Sequence, residues 1–398
     1  MKAYRIISIL STFTFIFIAY GCSGGGGDAT TAPSVQPLVY VGKTDPADIT
    51  LENAPDLLVN VLYGGDSVSG VTTGVFVSST SNAAAVSKHL VAFANFSMDS
   101  VIGESATDLY IPQGVDIDET SSCDMGMGYI TLKGTVDENT GAATLAMSYV
   151  DCVIDGTTYN GDGIITFYYF DVYTGNSSGQ IEFVLITMSG PDFSGSMSGI
   201  VYIDDNFYGN QYTQTIQLNI VAQDDMLNKM YKFDGYSMSV TIDDIYIYDP
   251  SSSIGYGGIL YDSIYGGISI ENYSPLTFSS YLNSNPDGGG PLTMIGNNSR
   301  MQLTVISEKH ILLELDLDGN GLYETVRFVL WQEIDDHSNL NLADTDNDGM
   351  HDSWEELFGL DPTIDDAGDD SDTDTYLNLD EYQGGSNPQD MSSIPAAP

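Results

Sequence analysis

Twelve residues near the C-terminus, Asp344-Thr-Asp-Asn-Asp-Gly-Met-His-Asp-Ser-Trp-Glu355, place acidic side chains at positions 1, 3, 5, 9 and 12 and a glycine at position 6. That is the layout of a calcium loop. A hard cation of this size takes about six to eight oxygens, and carboxylates on alternate residues of a tight turn bring several of them to one centre. Asp344, Asp346, Asp348 and Asp352 would supply side-chain oxygens, Met350 its carbonyl and Glu355 a bidentate carboxylate, while Gly349 allows the bend. A merely solvated acidic run calls for neither the glycine nor the closing glutamate.

Two other stretches repeat the pattern incompletely. Asp370, Asp372, Asp374, Asn378 and Glu381 take positions 1, 3, 5, 9 and 12, with the carbonyl of Tyr376 at 7, but Thr375 stands at position 6. A β-branched residue there is strained if the turn needs a positive φ. Asp316, Asp318, Asn320, Gly321 and Glu324 take positions 1, 3, 5, 6 and 9, with Leu322 at 7, but position 12 is Arg327. The expectation is a weak ion site; a plain Asn-Gly hairpin is the alternative.

Other chemistry is thinly signalled. Gly175-Asn-Ser-Ser-Gly179 fits the nucleophile-elbow pattern, but that motif works on a strand-to-helix turn and both flanks here alternate like strands. His89, His310, His337 and His351 show no zinc-ligand or catalytic spacing. No phosphate loop or dinucleotide fingerprint is present. An enzyme is therefore not expected. The alternative is a polysaccharide hydrolase using two carboxylates, although no pair stands out among 56 acidic residues.

The elements that must position these loops follow from composition and periodicity. The chain has 398 residues, 42 % of them hydrophobic, enough for a substantial core. Ten Lys and Arg against 56 Asp and Glu give a net charge of -46, so cations are the natural partners; nucleic acid and anionic membrane surfaces are not. An extracellular polysaccharide or protein is a further conceivable partner. Lys2 and Arg5, an apolar run from Ile6 to Tyr20 and Gly21-Cys22 read as an export signal too short for a permanent span. Gly-Cys followed by Ser23 and four glycines resembles a bacterial lipoprotein signal, which implies lipidation of Cys22 and a membrane contact made through that anchor alone. With Ala19 and Tyr20 in the preceding positions, ordinary secretory cleavage is the alternative. In an exported chain Cys123 and Cys152 are expected to pair as a disulfide, with two buried thiols as the alternative.

Residues 1–21 thus read as signal peptide, 22–50 as a flexible tether, 51–334 as an antiparallel β body and 335–398 as an acidic calcium-binding segment. Leu51 to Val77 reads as strands, including Leu57-Leu-Val-Asn-Val-Leu-Tyr63. Asn82 to Ser100 has helical spacing and reads as the one substantial helix of the body. After Cys123, period-two runs separated by turns predict a meander of hairpins. Its strands are expected near Tyr129–Lys133, Thr144–Val150, Gly163–Val172, Gln180–Met188, Ser198–Ile203, Thr213–Val221, Tyr236–Ile247, Gly258–Ile270, Pro291–Gly296, Ser299–Ile306, His310–Leu315 and Thr325–Trp331. The fold class is mainly β, with a terminal calcium-loop segment carrying short helices.

The terminal segment combines an acidic loop, Trp354-Glu355, Gly359-Leu-Asp-Pro362, a second acidic loop, Asn378-Leu-Asp-Glu-Tyr382 and Gly385-Ser-Asn-Pro388. From about Leu342 to Pro388 it resembles the thrombospondin type 3 repeats of bacterial surface proteins. The resemblance implies loops wrapped around calcium with little hydrophobic core of their own, in a structural or adhesive surface lipoprotein. A dockerin, whose paired loops lead into longer helices, is the nearest rival. The body is loosely similar to bacterial surface lipoproteins, which implies no activity.

Overall fold

The computed structural model describes residues 36–62 and 115–395, except 124–126, 138–139, 155, 172–173, 175, 191–193, 248, 281–284 and 336–339. The expected signal peptide, Cys22, most of the expected tether, the helix expected over Asn82–Ser100 with His89, the strands expected beyond residue 62, Gly175 of the serine motif and His337 lie outside the described residues.

Residues 54–62 form a helix, α1, where strands were expected. A short apolar run reads equally well as a buried strand or a buried helix, and the start signals decide here. Thr50 and Asn53 exchange side-chain-to-backbone hydrogen bonds at 2.9 and 3.3 Å, which closes the first turn, and Pro55 tolerates a position that has no intrahelical donor role. Ala54, Leu57, Leu58, Val59, Val61 and Leu62 are all buried. A helix buried on every side has no amphipathic stripe to reveal it.

The body is the expected antiparallel meander. Its main sheet runs in chain order through β1 (Val115–Ser122), β2 (Tyr129–Val136), β3 (Ala143–Ile154), β4 (Thr157–Phe170), β5 (Ser177–Ser189), β6 (Ser194–Tyr208), β7 (Gln211–Asp224), β8 (Lys229–Ile242), β9 (Ser252–Asp262) and β10 (Gly266–Asn272). It continues through β13 (Leu292–Ile295), β14 (Arg300–Val305), β15 (His310–Asp316) and β16 (Thr325–Leu330), while β11 (Leu276–Phe278) pairs with β9 and with β12 (Gly288–Gly289) off this path. The single strand expected over Gly258–Ile270 is two strands. Asp262 accepts the N–H groups of Ile264 and Tyr265 at 2.7 and 3.3 Å and turns the chain back between them.

Alternation along the long strands after β1 buries one face. Side chains from β2 to β16 and from α1 join one apolar cluster, which requires the long sheet to curl around it. The curl has a local cause. Register shifts fall between Asp162 and Gly163, Phe183 and Ile186, Leu218 and Ile220, and Asp234 and Ser237, at one level across neighbouring strands. Along that level Gly163 pairs with Phe183, Phe183 with Gly199 and Gly199 with Ile220, so glycine alternates with bulk. Bulges bend strands, and Gly199 at φ +131° has a conformation that side-chain-bearing residues avoid. Cys123 and Cys152 form a buried disulfide, Cα–Cα 5.4 Å, beside the β2–β3 hairpin.

Beyond β16 come three short helices, α2 (Trp331–Asp335), α3 (Asp352–Phe358) and α4 (Asn378–Gly384). A second apolar cluster joins Leu330 of β16 to Met350, Trp354, Ala367 and Tyr382, with Phe328 and Phe358 against it. The terminal segment thus has a small core, shared with the edge of the sheet.

Candidate metal centre

The three acidic loops have one backbone design. Positions 4 and 6 carry positive φ in each: Gly319 and Gly321 (74° and 85°), Asn347 and Gly349 (63° and 103°), Thr373 and Thr375 (69° and 89°). In each loop the residue-5 N–H donates to the residue-3 side chain and the residue-7 N–H to the residue-5 side chain, as in Asp348 to Asp346 (3.2 Å) and Met350 to Asp348 (2.9 Å). One oxygen of each aspartate so used shapes the turn, and in Asp346, Asp372 and Asp374 the other is buried without a partner.

In the first loop Asp344, Asp346 and Asp348 bring carboxylate oxygens within 4.8 Å of one another, and Asp348, Glu355 and Asp366 do the same. Glu355 comes from the first turn of α3 and is fully buried, yet neither of its oxygens has a hydrogen-bond partner; Asp346 Oδ2 also has none. Burial, then Asp348 and Asp346, push the Glu355 carboxyl up to about 8. Buried acceptors of this kind are normally satisfied, so a set of convergent, unpartnered oxygens fits a hard cation. Asp352, expected at position 9, does something else. Its oxygens accept from the Thr345 N–H and hydroxyl, both 2.8 Å, and from Asn341 at 3.1 Å, so it braces the loop from outside. Met350 buries its side chain in the terminal core, consistent with a carbonyl-only role.

Asp366 was not legible as a ligand, because it lies in neither loop pattern. The chain folds back after α3, and the Ala367 N–H, 3.1 Å from Asp348 Oδ2, brings it against the first loop. Asn378 donates to the Asp366 carbonyl at 2.9 Å while its Oδ1 has no partner, so this one side chain links the two terminal loops.

The second loop groups Asp370, Asp372 and Asp374. Asp372 Oδ2, Asp374 Oδ2, Asn378 Oδ1 and Glu381 Oε2 are buried without partners, and Glu381, wholly buried, is pushed up to about 7 by burial. The carbonyl residue Tyr376 is partly exposed. Its neighbour Thr375 adopts the left-handed conformation that the turn demands, the strain expected of a β-branched residue at position 6.

The third loop is different in kind. Asp316, Asp318 and Glu324 come within 4.8 Å, but the Asn320 amide donates to Glu324 at 2.9 Å, the Leu317 N–H takes its other oxygen at 3.0 Å, and the Arg300 guanidinium lies 3.3 Å from Asp316. Its acids are satisfied by the protein. Leu322 points outward. Arg327, at the closing position, turns away to pair with Asp344 of the next loop at 3.6 Å and to donate to the Leu342 carbonyl at 3.0 Å.

A buried polar chain fastens the segment to the body. The Phe328 N–H donates to the Tyr382 hydroxyl at 2.9 Å, which meets His351 Nδ1 at 3.0 Å; His351 Nε2 meets Glu333 at 2.8 Å, and Ser353 donates to that same glutamate oxygen at 3.0 Å. Sequence reading missed this constellation because its members lie on β16, α2, the first loop and α4. The serine of the elbow-like motif, Ser177, opens β5 and donates directly to Asp205 at 2.9 Å. It sits at a hairpin, as its flanks predicted.

Comparison with protein-family models finds no match, and comparisons with curated proteins and with solved structures find no significant one.

Proposed function

We propose that the terminal segment binds calcium at the Asp344–Glu355 and Asp370–Glu381 loops, and that these ions order and lock it onto the β body of an exported, lipid-anchored envelope protein with a structural or adhesive role. The observation that carries this reading is the wholly buried Glu355, both of whose oxygens lack partners while facing Asp348 and Asp366. Asp344, Asp346, Asp348, Glu355 and Asp366 would hold one ion, and Asp370, Asp372, Asp374, Asn378 and Glu381 the other. A bound dication neutralises carboxylates that otherwise repel one another, which supports folding directly. Asp316–Glu324 serves mainly as a turn. The short helices after both loops, seven residues each, favour a thrombospondin-type arrangement over a dockerin.

Calorimetric titration of the full chain with calcium chloride tests the reading. Two sites are expected, one lost in E355Q and the other in E381Q. No heat at millimolar calcium would overturn it.

A further inference from the structure

The described chain starts by crossing one end of the curled sheet. The Leu38 N–H donates to Ser198 at 2.8 Å, the Val41 N–H to the Met230 sulfur at 3.4 Å and the Lys43 N–H to the Ser263 carbonyl at 3.2 Å. The β7–β8 and β9–β10 turns lie at this end and are tied to each other, since Ser263 and Met230 exchange hydrogen bonds at 2.9 Å. Residues at these places are exposed and apolar: Val39 (74 %), Val41 (73 %), Met226 (59 %), Leu227 (43 %) and Ile264 (46 %). Single exposed apolar residues need no explanation, whereas five on adjoining segments form a patch.

The two turns share one design. Asp224, fully buried at the end of β7, accepts the N–H groups of Met226 and Leu227 at 2.8 and 3.0 Å, and buried Asp262 treats Ile264 and Tyr265 in the same manner. The tips therefore present apolar side chains while their backbone donors are satisfied from within. That is the requirement for a surface that meets hydrocarbon instead of water.

We propose that this end of the body docks on the lipid bilayer, with Val39, Val41, Met226, Leu227 and Ile264 seated at the headgroup boundary. The proposal rests on the lipid-anchor reading. Thirteen residues separate Cys22 from residue 36, a span of about 45 Å at full extension, and the chain meets the body at this same end. An anchor at Cys22 thus holds the point at which the chain enters this face within about 45 Å of the membrane. At this end Lys232 pairs with Asp234 and Lys229 with Asp262, and exposed Lys43 and Asp225 carry opposite charges, so the face has no net positive charge and a neutral phosphatidylcholine surface suffices. The opposite ends of these strands, where Tyr208, Tyr246 and Ile247 are also exposed, lie away from the point at which the tether enters.

The full chain carrying M226W, reconstituted into phosphatidylcholine vesicles brominated near the headgroup, tests this, with I264W as a second reporter and Y208W as the control. Strong bromine quenching in M226W and I264W and little in Y208W is expected. Absence of quenching in M226W and I264W, equal quenching at both ends, or a blue shift without bromine quenching, as contact with a second copy would give, overturns the proposal. Mass analysis of Cys22 is read separately. An unmodified Cys22 with M226W quenched sinks the anchor and keeps the docking face, whereas a lipidated Cys22 with M226W unquenched does the reverse.

Discussion

At the scale of single residues, Glu355 and Thr375 set the behaviour of the terminal loops. Without an ion, the folded protein holds the Glu355 proton up to about pH 8 and the Glu381 proton up to about pH 7, against ordinary values near 4.5 in the unfolded chain. The folded state therefore binds more protons across that window, and stability of the ion-free protein falls as pH rises from about 4.5 to 8. Calcium at the proposed sites would have to displace the same protons, so its affinity is expected to rise over pH 6 to 8 with release of protons; titration in buffers of different ionisation heat measures both. In E355Q the ion-free slope flattens and affinity at the first site drops at least about tenfold, because a closing bidentate carboxylate is lost. T375G removes a left-handed β-branched residue, at φ 89° in the second loop. A gain of about 1 kcal/mol, or roughly fivefold in calcium affinity at that site, is expected from calorimetry.

At the scale of elements, the question is what joins the segment to the sheet. Tyr382 stacks edge-on against Trp354 and Phe328 and completes the hydrogen-bonded chain to His351. Y382F keeps the ring and deletes the hydroxyl, leaving the Phe328 N–H without its partner; a loss of about 1–3 kcal/mol follows, read by chemical denaturation. W354A opens a cavity in a cluster that has few other members and costs about 3–5 kcal/mol. In the sheet, a Cβ on Gly199 would stand 2.3 Å from the Asn219 carbonyl oxygen at φ +131°, so G199A strains the bulge row that bends the strands. It is expected to lower stability by about 2 kcal/mol or more.

At the scale of the whole molecule, 46 net negative charges repel in the compact state, and only six contacts pair a Lys or Arg with an acid among the described residues. Sodium chloride screens this repulsion in a general way, whereas calcium at the proposed sites would also bind only the folded state. Calcium chloride should raise the melting temperature above sodium chloride of equal ionic strength, by a stability increment of about 2.7 kcal/mol for each of the two proposed sites at a hundredfold excess over Kd. The increment should vanish in the E355Q, E381Q double variant. Reduction of the disulfide frees a loop of 29 residues and costs about 3–4 kcal/mol in the chain-entropy picture.

Local pattern alone determined much of this protein. Period-two runs and turn residues specify a meander whose neighbours are mostly consecutive strands, so its hairpins were readable without tertiary knowledge. Carboxylates at alternate positions specify the acidic loops for the same reason, since the groups that meet are near in sequence. The tertiary structure decided whatever joins distant segments or depends on surroundings. Residues 54–62 became a helix because complete burial removes the periodicity that distinguishes helix from strand. Asp366 joined the first loop only through the chain reversal after α3, and Asp352 became a brace because Thr345 and Asn341 reached it. Glu333, His351 and Tyr382 meet only once the segment is docked. Whether an acid stays satisfied, as Glu324 does, or stands buried without a partner, as Glu355 does, depends on neighbours that no spacing rule records.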